Sequence, residues 1–216
     1  MTRTVPAWRG ERLRTVAVQR LVVPAEVAAR GLLGTLLVRE LDGVEVVARI
    51  VETEAYREDD PASHSHRRRT PRTEPMFAEP GTAYVYRSYG VHWCLNIAVE
   101  PEGVGAAVLV RAAAVLQGVE VVRRRRPRVR RDVELLRGPG CLAAGLDIDG
   151  PRFDHRSLLE AGAPLRLLDD GWRPGEQDVV AGPRVGVSVA ADVPWRFHLR
   201  GAPGVSVYRR SPRAPV

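Results

Sequence analysis

The chain contains no lysine: all 33 of its basic residues are arginine. Without a side-chain amine, a mechanism that passes through a lysine Schiff base is excluded, and only the N-terminal amine remains for such chemistry. Cysteine is almost as scarce. Cys94 and Cys141 are too few for a disulfide framework or a cysteine-rich zinc site, and both read as small apolar packing residues. No apolar run reaches the length of a membrane span and the N-terminus shows no signal-peptide pattern, so the expectation is a soluble cytoplasmic protein with no membrane partner.

Aromatic residues are few as well, and their distribution is uneven. Of the twelve in 216 residues, six (Tyr56, Phe77, Tyr84, Tyr86, Tyr89 and Trp93) lie between positions 56 and 93. Among them runs the string IVETEAY (50–56), which sets two carboxylates beside the tyrosines. The net charge of +7 and a pI near 10.3 point to an anionic partner, nucleic acid first. A carboxylate inside an aromatic patch of a basic protein suggests chemistry on a flat ring attached to a polyanion.

The length suits one domain, and a hydrophobic fraction of 44% is ample for its core. Pro24 to Leu33 reads as a short helix with proline in its first turn. Thr35–Arg39 and Val44–Ala55 read as strands joined by the turn Asp42-Gly43. In the second strand, alternation without a bulge carries one face from Val44, Val46, Ala48 and Ile50 on to Glu52, Glu54 and Tyr56. Residues 57–80 are loop-like. Thr82–Tyr89 and His92–Val99 form a hairpin with Tyr89 at its tip, Tyr84 and Tyr86 on one face of the first strand, and His92, Cys94 and Asn96 together on the second. Ala106–Ala112 is an apolar strand interrupted by Arg111, and Pro127 breaks any helix through the arginine run 123–131. Short helices are expected over Cys141–Leu146 and, capped by Asp154, over His155–Leu159. Strands are expected over Leu165–Leu168, Arg184–Val189 and Arg196–Leu199, with a frayed tail at the C-terminus.

A glutamate at a strand end is usually solvated or salt-bridged. Arg111 changes that balance, because a lone arginine in an apolar strand needs an anionic partner. Pairing keeps a carboxylate ionised and able to take a proton from water. Glu52 and Glu54 share the same parity, so spacing does not choose between them. Tyr84 reads as a packing residue, whereas Tyr56 and Tyr86 are placed to sandwich a base, each face offering a cationic base roughly 0.5–2 kcal/mol. His64 and His66, two apart with no cysteine pair or HExxH pattern, are weak evidence for a metal; His64 reads as a pocket wall or phosphate contact and His66 as a surface residue. The arginine run is more often a solvated face than a site, with phosphate contact as the second reading.

Taken in order, RIVETEAY (49–56), HS (64–65), TPR (70–72), MF (76–77), PGTxYVYxxYG (80–90), CLNI (94–97), VLVRAA (108–113), GPG (138–140), FDHRSL (153–158), GPRVGV (182–187) and RFHLRGAPGVSV (196–207) resemble the alkyladenine, or 3-methyladenine, DNA glycosylases. The similarity runs from about residue 18 to 208. It implies a monofunctional enzyme of base excision repair that flips an alkylated or deaminated purine from double-stranded DNA and hydrolyses its N-glycosidic bond. By motif position it implies Glu54 as the general base and Arg111 as the residue orienting carboxylate and water. Tyr56, His64 and Tyr86 match the walls of the base pocket, Asn96 the residue that screens the purine's exocyclic group, Tyr89 the side chain that enters the stack, and Val187 a backbone carbonyl that helps hold the water. Two departures stand out: the loop before His64 is one residue shorter than in animal relatives, and Cys141 occupies a position where lysine is common.

The resulting expectation is an α+β protein, a single compact domain with an antiparallel β core flanked by short helices. An N-terminal lead-in over 1–17 would precede a glycosylase domain at 18–208 and a tail at 209–216. No cofactor or metal is expected, and the protein should act as a monomer on DNA containing damaged purines. A non-catalytic nucleic-acid binder of the same fold, and a metal-dependent nuclease built on Glu52, Glu54 and the histidines, are the alternatives.

Overall fold

The computed structural model describes residues 13–215. Most of the expected lead-in lies outside them. The described chain is α+β: nine strands form one antiparallel sheet, with four short helices packed on it. The strands are β1 (Arg14–Thr15), β2 (Leu36–Leu41), β3 (Val44–Tyr56), β4 (Ala83–Ser88), β5 (His92–Ala98), β6 (Ala107–Gln117), β7 (Leu165–Asp169), β8 (Val179–Gly182) and β9 (Arg196–Leu199). Their order is β1-β7-β2-β3-β6-β5-β4, and β9, with β8 beside it, also pairs with β3. The helices are α1 (Ala25–Leu32), α2 (Val119–Arg125), α3 (Pro139–Gly145) and α4 (Gly150–Phe153). Among the described residues no helix is long and apolar enough to cross a membrane.

Local chemistry explains most boundaries. Helix α1 starts after Pro24 and buries Ala25, Ala28, Ala29 and Leu32, the spacing of one helical face. The β2–β3 hairpin closes on Asp42 and Gly43, both with positive φ, as a two-residue turn of this hand requires. Helix α2 stops at Arg125, two residues before Pro127.

Strand β3 positions the site. Its first half pairs with β2, its second half with β9, and β6 runs along its other edge. Here the structure corrects the bulge-free alternation. Opposite Ala113 and Ala112 of β6, β3 carries one residue more, Val51; opposite Glu52 and Thr53 of β3, β6 carries one more, Arg111. A bulge inserts an unpaired residue and re-aims the side chains beyond it. Before it, Val46, Ala48 and Ile50 face the main core while Val47 packs in a smaller cluster on the other face. After it, the odd positions Val51 and Ala55 belong to the main core, and Thr53 Oγ1 donates to Ala29 O of α1 at 2.8 Å. Glu52, Glu54 and Tyr56 therefore leave the aliphatic face instead of continuing it.

Two further expectations are corrected. The helix expected over His155–Leu159 lies before Asp154, over Gly150–Phe153. Its cap is Asp149, whose Oδ1 accepts from Arg152 N at 2.9 Å, with proline in the first turn. Asp154 instead ends that helix and accepts from Val85 N at 2.8 Å. The strand expected over Arg184–Val189 is a loop: β8 ends at Gly182, Pro183 comes next, and Gly186 takes φ 75°. In the tail, Arg209 O accepts from Gly186 N at 3.2 Å and Arg210 Nη1 reaches Asp192 Oδ1 at 2.5 Å, tying residues 209–210 to that loop.

Candidate active site

Antiparallel register assembles the site from separate strands. Tyr84 of β4 lies opposite Asn96 of β5, Asn96 opposite Leu109 of β6, and Leu109 opposite Glu54 of β3. All four line one cavity of about 680 Å³, a volume suited to a small ligand. The wall is extended by Tyr86 and Cys94, the next pair on the same face of the hairpin, and by two loops, residues 61–64 and 185–189.

The cavity brings together all eight residues singled out by sequence: Glu54, Tyr56, His64, Tyr86, Tyr89, Asn96, Arg111 and Val187 line it. Glu54 is fully buried. Its Oε2 accepts from Tyr56 Oη at 2.9 Å and lies 3.2 Å from Arg111 Nη1, and its Oε1 accepts from Val185 N at 2.7 Å. A carboxylate has about four lone-pair sites, so these three contacts leave it one.

Glu52, equally buried, differs. Its Oε1 accepts from Arg111 Nε at 2.9 Å, Arg196 Nε at 2.7 Å and Ser206 Oγ at 2.7 Å, and its Oε2 from Ser206 N at 2.7 Å. Four donors occupy it, and it does not line the cavity. Burial pushes its carboxyl up, but Arg111 and Arg196 outweigh that and hold it below its ordinary range. Arg111 shows the reverse balance: burial favours losing its proton, and Glu54 and Glu52 more than restore it. The arginine thus serves two carboxylates, one structural and one open to the cavity.

The aromatic wall is layered. Tyr84 is almost fully buried among Met76, Phe77 and Ala107, and stacks on Tyr86 with ring centroids 5.4 Å apart. Its hydroxyl is 2.9 Å from His64 Nδ1, and the His64 ring meets Tyr86 edge-on at 4.6 Å. Burial first, and the Arg72 guanidinium second, push His64 below its ordinary value of 6.5, so the ring is neutral at neutral pH. Burial raises the phenols of Tyr56, Tyr86 and Tyr84, the last to about 12. Asn96 is buried and donates Nδ2 to Tyr84 O at 3.0 Å, which fixes its amide. Tyr89 at the hairpin tip is 93% exposed with φ 49°.

Arg72, Val185, Arg196 and Ser206 were not singled out as site residues from sequence. Arg72 lines the cavity with its guanidinium 5.7 Å from the Tyr86 centroid. The loop carrying Val187 does meet the carboxylate, through the Val185 amide. No metal cluster of three or more His, Cys, Asp or Glu occurs among the described residues. His64 faces Tyr84, His66 Nδ1 lies 3.2 Å from Glu58 O, and Glu52 is filled by its donors. The arginine run is paired only in part: Arg123 with Glu120 and Asp132, Arg124 with Asp42 at 3.9 Å, Arg125 with Asp147, and Arg131 with Glu134. Cys141 receives Arg126 Nη2 at 2.8 Å from its sulfur, so a cation still stands near that position.

Residues 19–203 match the family profile of methylpurine-DNA glycosylase. The chain is 48% identical over 212 residues to a protein of Rhodococcus jostii (strain RHA1), covering 93% of this chain and 89% of the relative. It is 47% identical over 209 residues to one of Nocardia farcinica (94% and 96% covered) and 44% identical over 207 residues to one of Mycobacterium tuberculosis (92% and 96%). All three are provisionally named 3-methyladenine DNA glycosylases.

Proposed function

The chain belongs to the methylpurine-DNA glycosylase family, and we propose that its cavity receives a damaged purine flipped from duplex DNA and that Glu54 activates the water that hydrolyses the N-glycosidic bond. The protein is an N-glycosyl hydrolase of the 3-methyladenine DNA glycosylase type, acting in base excision repair of alkylated purines. The working unit is residues 18–208.

The observation that carries the mechanism is the unequal filling of two neighbouring carboxylates. Glu54 lines the cavity and keeps a lone-pair site after Tyr56, Arg111 and Val185 are served. A water bound there loses its proton to Glu54 as its oxygen attacks the sugar C1′. The bond to the purine breaks, and its electron pair leaves with the base. Arg111 and the Val185 amide hold the carboxylate in place, while Tyr56 donates to it. Tyr86 and His64 flank the base, Asn96 screens its exocyclic edge, and the Val187 carbonyl helps seat the water.

Leaving-group activation sets the substrate range. The phenols of Tyr56, Tyr84 and Tyr86 are all shifted upward, which makes them poorer acids, and His64 is shifted toward its neutral form. The pocket therefore favours purines that already carry positive charge from alkylation, which leave without prior protonation. Flipping costs a few kcal/mol, and Tyr89 on its exposed tip is the side chain to fill the vacated stack.

The test is product analysis on duplexes carrying methylated purines, hypoxanthine or 1,N6-ethenoadenine. Free base with strand breaks only after alkali is the expected result. Breaks without alkali indicate a nuclease, and binding without base release indicates a non-catalytic protein; either outcome sinks the proposal.

A further inference from the structure

Beside the cavity lies a buried ion pair to which the mechanism above gives no role. Arg184 and Asp60 are 1% and 4% exposed. The guanidinium holds the carboxylate with both terminal nitrogens, Nη2 reaching Asp60 Oδ1 at 3.0 Å and Nη1 bonding Oδ2. Nη1 also donates to Ala55 O at 3.0 Å. The planar group stands 4.8 Å from the centroid of the Tyr56 ring and 5.4 Å from that of Trp195. One cation thus ties together the loop after β3, the end of β3 itself and the loop after β8.

Its position in the chain gives this pair a consequence. Arg184 directly precedes Val185, whose amide donates to Glu54 Oε1, and Ala55 directly follows Glu54. Tyr56, against which the guanidinium lies, donates to Glu54 Oε2. Two of the three donors that seat Glu54 are therefore fixed by Arg184: one through a peptide bond, the other through a ring face. The third, Arg111, comes from β6 and is independent of it.

We infer that the Arg184–Asp60 pair is a positioning clamp for the general base, holding the Val185 amide and Tyr56 in register with Glu54 so that its free lone pair is aimed into the cavity. Neither residue touches the reacting atoms. The inference rests on the reading of Glu54 as the base. Burying a charge pair is not in itself a route to stability, since apolar residues of equal volume do as well or better. A planar, bidentate cation is the group that grips a carboxylate, donates to a second acceptor and sits over a ring at once.

The experiment compares wild type, Arg184→Lys, Asp60→Asn and Glu54→Gln in single-turnover excision with enzyme in excess over a dimethyl-sulfate-treated duplex. Active fraction is titrated and duplex affinity is measured separately. Arg184→Lys keeps the charge against Asp60 and so keeps the fold, but an ammonium cannot also lie along Tyr56. A misplacement near 1 Å costs roughly a hundredfold in rate, so the rate constant of Arg184→Lys should fall about tenfold to a hundredfold with affinity within about threefold. Asp60→Asn should fall in the same way. A purely structural pair would lower the active fraction and leave the rate constant of the folded molecules unchanged; that result overturns the clamp. If Glu54→Gln excises at the wild-type rate, the reading of the base fails instead, and the two failures are distinguishable.

Discussion

Glu52 and Glu54, two residues apart on one strand, share a single guanidinium: Arg111 Nε bonds Glu52 Oε1 at 2.9 Å while its Nη1 lies 3.2 Å from Glu54 Oε2. The shared cation does not make the carboxylates equivalent. Glu52 carries four donors and is shut away from the cavity; Glu54 carries three and lines it. Replacing each should therefore have opposite signatures. Glu54→Gln retains lesion binding and loses excision, by about 10²–10⁴-fold if its role is general base. Glu52→Gln leaves Arg196 without its anion and Arg111 with Glu54 alone in a buried setting, which costs on the order of 3–5 kcal/mol. Single-turnover kinetics and urea denaturation of both variants check the pair. Normal turnover by Glu54→Gln would remove it from the mechanism.

The same network predicts how stability responds to acid. The folded state holds the Glu52 carboxyl below its ordinary value of 4.5, so it binds that proton less tightly than the unfolded chain does. The contribution is fully present above about pH 4.5 and is lost as pH falls through the lower, folded value. The difference in urea midpoint between wild type and Glu52→Gln should thus be constant near neutrality and shrink below that point. A difference that widens on acidification contradicts the assignment.

The separation of these two carboxylates shows where sequence reading ends. Parity puts Glu52, Glu54 and Tyr56 on the face of Val46, Ala48 and Ile50, which the bulge at Val51 overturns, and Arg196 and Ser206 lie 144 and 154 residues beyond Glu52 along the chain. Local periodicity carries no signal for partners at that distance, and only the motif resemblance distinguished Glu54. The bulge at Val51 is equally silent, because Ile50 and Val51 are both apolar. At 184–189 the alternation of Val185, Val187 and Val189 mimics a strand, yet these side chains line the cavity from a loop. The helix ahead of Asp154 carries a local signal that the expectation over His155–Leu159 passes over: Asp149 with glycine and proline directly after it is a cap with proline in the first turn. The hairpins, closed by local turns, were readable for the same reason.

His64 offers a direct view of pocket electrostatics. Burial and then Arg72 depress its pKa below 6.5. Its ring protons, monitored by NMR, should titrate with a midpoint below that value. Arg72→Gln removes the second cause and leaves the first, so the midpoint should rise without overshooting 6.5. A wild-type midpoint above 6.5 would mean that the ring is stabilised as a cation and would change the picture of the base pocket.

Tyr89 separates binding from folding more cleanly than any other residue here. It is 93% exposed at a three-residue hairpin loop between Ser88 and His92, so its side chain contributes little to packing. Its φ of 49° is a cost that any non-glycine residue there also bears. Tyr89→Ala should therefore leave the melting temperature within about 1 °C, in line with surface substitutions that stay within roughly 0.5 kcal/mol. If the ring enters the gap left by a flipped nucleotide, it stacks on neighbouring bases, an interaction worth about 1–3 kcal/mol per base. Affinity for a lesion duplex should then drop by roughly 5- to 150-fold, while binding to undamaged duplex, where no gap needs filling, changes less. Anisotropy titrations on matched duplexes measure both. Equal losses on damaged and undamaged DNA would make Tyr89 a general surface contact, and unchanged affinity on both would remove it from the DNA interface.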